Sequence, residues 1–183
     1  MLFNMSRFFK FNLIFILFQT STVFAQKPII IKSWVDGSGK HSLVVEKEIT
    51  KDQTGEHLSV KQLTKDNVDW ILNDYVNDCD LDIKLDIVTD SVEVNKPFYD
   101  GVGTVLFAYK IGCVGGLDPV TVKYFAYKNG VKNSLRGEEH IIIGDDGYGG
   151  EILPKPDFNL KSDKPLLDYM LSKWSSVSVT KIN

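Results

Sequence analysis

The sequence predicts a mainly β fold of the α+β kind, with antiparallel sheets or a sandwich-like single domain closed by a C-terminal amphipathic helix. Three observations predict it. The stretch DLDIKLDIV, residues 80–88, alternates polar and apolar residues with period two, as a strand does when one face is buried and the other is wet. Two strand-like runs flank Asn129-Gly130, the dipeptide that best accepts the positive φ angles of a tight hairpin. Near the end, Leu166, Leu167, Met170, Leu171 and Trp174 recur at helical spacing.

Taken in order, residues 1–25 read as a cleaved export signal. Arg7 and Lys10 precede the apolar run FNLIFILF, and Val23-Phe24-Ala25 supplies a small-residue cleavage site. Eight apolar residues are too few to span a bilayer. The residue immediately after the cut is Gln26 and not Cys, which argues against a lipid anchor. The expected mature chain, 26–183, is a single β-rich domain of 158 residues without a membrane span, periplasmic or extracellular. Losing Arg7 and Lys10 moves its formal net charge from -3 to -5. An acidic chain with no basic cluster argues against nucleic acid, whose binding rests on neutralising phosphates. It also argues against docking on anionic lipid. Lysine dominates the cations, and Arg136 is the sole Arg after the cut.

Pro28 to Trp34 and His41 to Ile49 read as a hairpin around VDGSGK. DNVDWILNDYVNDC fits helical spacing through Val68, Ile71, Leu72, Tyr75 and Val76, yet Val68, Trp70 and Leu72 alternate. Its β-rich neighbours favour a strand. In 80–88 the acidic row is the wet face and Leu81, Ile83, Leu85 and Ile87 the buried one. Thr104 to Ile111 and Val120 to Lys128 are further strands, and HIII, 140–143, is another. The helix is expected over about 163–175, with Ser162-Asp163 as its cap and Pro165 in its first turn. The Pro-rich connector before it is ordered only if Phe158 and Leu160 dock.

Both cysteines, Cys79 and Cys113, follow the cut, where an oxidising compartment lets thiols pair, and a disulfide is expected. A metal-thiolate pair or a catalytic thiol is the alternative, but no CxxC occurs and no His adjoins either Cys.

Candidate chemistry lies in a repeated loop. Trp34-Val35-Asp36-Gly37-Ser38-Gly39 matches Phe98-Tyr99-Asp100-Gly101-Val102-Gly103 at an offset of 64 residues, and Asp146-Gly147-Tyr148-Gly149 is a third, partial copy. Calcium takes six to eight oxygens, and one carboxylate per loop is too few unless Asp90, Glu93 or Asn95 folds back beside Asp100. No cofactor is therefore expected, with calcium at Asp90 and Asp100 as the alternative. The plainer reading has Asp bonding backbone amides in a turn while Gly supplies positive φ. His41, His57 and His140 share no ligand spacing, and there is no HExxH, GxSxG, P-loop or Rossmann pattern.

Several segments in order, SWVDGSGKHSLVVEKE, WILNDYVNDCDLDI, YDGVGTVLFAYKIGC, DPVTVKYFAYKNGVKNSLRGEE and the helix ending in Trp174, resemble a family of small exported bacterial proteins labelled surface polysaccharide biosynthesis protein. The resemblance covers nearly all of 26–183. It implies that both cysteines, Asp118-Pro119 and Arg136-Gly137 belong to the pattern, and that WILNDYVNDC is a strand. The family-like Asp-x-Asp-x-[Asn or Asp]-Gly loop is broken here, since Asp90 stands apart from Asp100 and Thr104 takes a Glu position, which argues against a shared calcium role.

The function expected is a cell-envelope accessory or binding protein linked to surface polysaccharide, contacting an envelope glycan or protein, with Trp34, Phe98, Tyr99 and Tyr148 as binding aromatics. Enzymatic activity is the less favoured reading; a hydrolase or transferase would use Asp36, Asp100, Asp146 and Arg136. A purely structural, partner-binding component is the third reading.

Overall fold

The computed structural model describes residues 28–50, 53–98 and 103–182. The expected export signal, Tyr99 and Asp100 lie outside the described residues. In chain order come β1 (Ile30–Asp36), β2 (Gly39–Ile49), β3 (Glu56–Thr64), β4 (Asn67–Val76), β5 (Asp82–Pro97), β6 (Gly103–Val114) and β7 (Thr121–Lys128). Then follow β8 (Val131–Glu138), β9 (His140–Ile143), β10 (Asp146–Gly149), β11 (Lys155–Pro156), α1 (Phe158–Ser162), α2 (Lys164–Ser178) and β12 (Val179–Ile182).

The first four strands form an antiparallel sheet in sequence order. A second antiparallel sheet runs β11-β8-β7-β6-β5. The third is β10-β9-β12, in which β12 lies parallel to β9.

Three layers follow from which residues each strand turns inward. Leu43, Val45, Leu58, Val60, Leu72 and Val76 of the first sheet meet Leu85, Val92, Val105, Phe107, Tyr109, Phe125 and Tyr127 of the second. The second sheet's other face, Leu106, Ala108, Val122, Tyr124, Ala126 and Leu135, is covered by Leu160 of α1 and Leu166, Met170 and Val177 of α2. The strands β6 and β7 are thus apolar on both faces, which is why VLFAY and VKYFAY lack clean alternation.

Cys79, just past β4, bonds Cys113 in β6 with a Cα–Cα separation of 5.7 Å, fastening the first sheet to the second. The β7–β8 hairpin turns on Asn129 (φ 52°) and Gly130 (φ 71°), the left-handed pair expected of Asn-Gly.

Some expectations need correction. Leu81 precedes β5 and is 61% exposed, so the buried row starts at Ile83. β5 continues past Val88, where Ser91 bridges a register break by accepting from the Ala108 N–H at 2.7 Å and donating to the Val88 carbonyl at 2.6 Å. Ser162 ends α1, and Asp163 alone caps α2, accepting from the Leu166 N–H at 3.2 Å. The connector is ordered by Leu160, fully buried, while Phe158 stays exposed. Asp146 to Gly149 is the strand β10, with no loop in it. Its tight packing explains Gly149 (φ 76°): a Cβ there would sit 2.4 Å from the Pro119 ring.

Candidate functional site

Among the described residues, those singled out from the sequence fall in separate parts of the fold. Asp36 ends β1, and the two-residue turn Gly37-Ser38 returns the chain into β2. Its Oδ1 accepts from the Ser38 N–H (2.8 Å) and the Ser38 hydroxyl (2.7 Å), and lies 2.8 Å from His41 Nε2. These partners, the Ser38 hydroxyl foremost, hold the Asp36 carboxyl well below the usual carboxylate range. His41 is buried, its Nδ1 is 2.7 Å from the Thr64 hydroxyl, and Trp34 stacks on it with centroids 5.0 Å apart. Trp34 packs against the inter-sheet core. Asp, Ser, His and Trp therefore knit one hairpin end together.

Asp146 opens β10 in the third sheet, remote in the topology from Asp36. The hydrolase or transferase reading expects at least two of Asp36, Asp100 and Asp146 in one cleft; Asp36 and Asp146 stand in different sheets. Tyr148 is half-exposed and donates its hydroxyl to the Leu117 carbonyl at 2.9 Å. Asp90 is exposed in β5, and among the described residues no three His, Cys, Asp or Glu side chains converge as a metal site would require.

Phe98 takes a different place. It meets Tyr169 of α2 edge-on, with centroids 5.4 Å apart, and packs on the helix-side core. Pro97, Phe98, Pro165, Lys96 and Tyr169 line an open hollow of about 430 Å³. Lys96 and Tyr169 also border a second hollow of about 370 Å³, with Asp90, Glu93 and Lys173 among its walls. The Tyr169 hydroxyl donates to Glu93, and Lys96 pairs with Glu93 at 3.1 Å. Burial, and next the Glu93 carboxylate, push the Tyr169 hydroxyl up, so it stays a neutral donor. Tyr169 joins an apolar shelf to a polar one. Apolar ring surface beside a few fixed polar groups is what the C–H faces and hydroxyls of a sugar require.

Sequence reasoning found Phe98 but missed Tyr169, which it did not count among the helix's apolar positions. The usable signal was its place one residue before Met170 at the edge of that face.

Arg136 does not pair with Glu138 or Glu139. The Glu139 carboxylate is buried and takes Lys110 (2.8 Å) and the Thr180 hydroxyl. Glu138 accepts from the Ile152 N–H at 3.4 Å. The Arg136 guanidinium lies over the Phe125 ring, 5.7 Å from its centroid. Around it Thr121, Lys132, Ser134, Lys155 and Asp157 line an open groove of about 630 Å³.

The fold and these surfaces define a layered β domain with open, solvent-facing recesses. Comparison with family models, curated proteins and solved structures returned no match.

Proposed function

We propose that this chain is an exported accessory protein of the cell envelope, periplasmic or extracellular, that binds glycan and serves surface polysaccharide biosynthesis as a binding component and not as a catalyst. The observation that carries the reading is the double hollow at Tyr169, where Pro97, Phe98 and Pro165 adjoin Glu93, Lys96 and Lys173. Its supports are the leader-like residues 1–25, the resemblance of several segments to the polysaccharide-labelled family, and a disulfide of the kind that persists in oxidising compartments.

The test is a glycan array and pull-downs from envelope extracts with residues 26–183. Binding should be weakened roughly tenfold by Tyr169→Ala, the scale of one lost ring contact. An array with nothing above background refutes the reading.

A second reading, a structural component that docks another envelope protein, is favoured by one observation. Ile31, Val44, Lys61 and Ile71 form a continuous cross-strand row on the outer face of the first sheet, with Ile31 60% and Ile71 52% exposed. In-cell crosslinking from Ile71 should then trap a protein, whereas the glycan reading predicts none.

A further inference from the structure

The groove around Arg136 has a charge pattern that the fold does not explain. Arg136 in β8 lies directly opposite Lys123 of β7 on one side and Lys155 of β11 on the other. Three cations thus stand in one row across three strands, where directly opposed like charges are destabilising. Lys132, four residues before Arg136 on the same strand, is on the same face and lines the same groove.

The neighbouring acids relieve this only in part, at Lys123 and through Asp157 on the groove wall. Lys123 is paired with Asp74, which also accepts from the Tyr109 hydroxyl at 2.7 Å. Asp157 accepts from the Leu160 N–H (2.8 Å) and the Ser134 hydroxyl (2.9 Å), and Glu138 is held by the Ile152 N–H. Among the described residues no carboxylate is within ion-pair distance of Arg136, Lys132 or Lys155. Among the described residues the Arg136 guanidinium meets the face of Phe125, itself 2% exposed. A guanidinium parked on a ring keeps its N–H fork for a planar oxyanion.

We infer that the groove lined by Lys132, Arg136 and Lys155 binds the carboxylate or phosphate groups of an acidic glycan, with Arg136 as the forked ligand. Lys132 and Lys155 supply flanking positive charge, and the Thr121 hydroxyl offers a polar contact for a sugar hydroxyl. The open groove suits a polymer, whose repeated anions engage several cations at once. This deepens the glycan reading above, on which its choice of a polymer rests, and places the charged part of the ligand away from Tyr169.

The test is affinity electrophoresis and calorimetry on the disulfide-bonded chain 26–183, with polygalacturonate, poly(glycerol phosphate) and neutral dextran as probes. Wild type should bind at least one of the acidic polymers, and which one separates carboxylate from phosphate. Arg136→Ala should weaken that binding roughly ten- to a hundredfold, the scale of a lost charge-assisted bond. Arg136→Lys should restore only part of it, and paired Lys132→Ala and Lys155→Ala should flatten its salt dependence. The acidic polymer should also raise the melting temperature of wild type and not of Arg136→Ala. Arg136 is exposed, so an unchanged circular dichroism spectrum will confirm that the variants fold. Failure of both acidic polymers to bind wild type overturns the inference. Equal binding to Arg136→Ala also overturns it while leaving glycan binding intact. Acidic polymers that bind through Arg136 but ignore Tyr169→Ala sustain the groove and remove the Tyr169 hollow.

Discussion

Asp36 shows how a residue that resembles catalytic equipment can be turn chemistry. Its carboxylate accepts two bonds from Ser38 and meets His41, all within five residues. Because the folded carboxyl lies below the ordinary value of 3.8, its contribution to stability is complete above that value and is lost as pH falls toward the folded one. Asp36→Asn should therefore melt below wild type from about pH 5 upward, with the gap closing toward pH 2. Melting curves that stay parallel across that range would rule the linkage out. Glu139 is the opposite case, 3% exposed and tied to Lys110 at 2.8 Å. Burial pushes its carboxyl up, but the bonds from Lys110 and Thr180 outweigh burial and leave it below the usual range. Glu139→Ala strands the Lys110 ammonium, itself only 14% exposed, and should cost about 3 kcal/mol in urea unfolding, the lower end for breaking a buried pair. A loss under about 1 kcal/mol would mean that Lys110 swings out to water.

At the scale of elements, α2 is the piece that closes the second layer. Met170 is fully buried between the helix and the face made by Leu106, Val122 and Leu135. Met170→Ala should destabilise by about 2–5 kcal/mol, whereas Leu171→Ala, one residue on and 43% exposed, should change little. If both variants unfold at the wild-type urea midpoint, the helix does not dock as described. Elements were legible where a single physical pattern ruled them. The alternation of 80–88 announced β5, Asn129-Gly130 announced the β7–β8 hairpin, and the apolar spacing from Leu166 announced α2. The strand β3 was not legible because only Leu58 and Val60 are large apolar inward residues. Its next inward positions are Gln62 and Thr64, polar side chains that bond Trp70 Nε1 (3.2 Å), Asp69 and His41. The strand β12 was hidden because four residues after a helix carry too little pattern, and its pairing with β9 is a tertiary fact. The site divided in the same way. Phe98 and Arg136 stood out by type and scarcity, but Tyr169 joins Phe98, and Lys132 and Lys155 join Arg136, only through the fold.

At the scale of the whole molecule, two sheets share one core, and the link between them is covalent as well as hydrophobic. The Cys79–Cys113 bond closes a sequence separation of 34 residues and ties the end of β4 to β6, an interior strand of the second sheet. In the unfolded chain it removes loop-closure entropy, a stabilisation of about 3 to 4 kcal/mol for a loop of this length. The same bond anchors the far end of β6, whose Val105, Phe107 and Tyr109 stack among Phe125, Tyr127 and Trp70 in the shared core. Hydrophobic burial and the inter-sheet bonds of Asp74 to Lys123 and Tyr109 still hold the sheets together once the bond is cut, so the reduced protein should remain folded but be less stable. Cys79→Ser with Cys113→Ser, or wild type in reductant, should shift the urea midpoint down by an amount corresponding to about 3 to 4 kcal/mol, with near-ultraviolet circular dichroism retained at 25 °C. Loss of the aromatic signal on reduction, without denaturant, would show that the inter-sheet core depends on the disulfide to form at all.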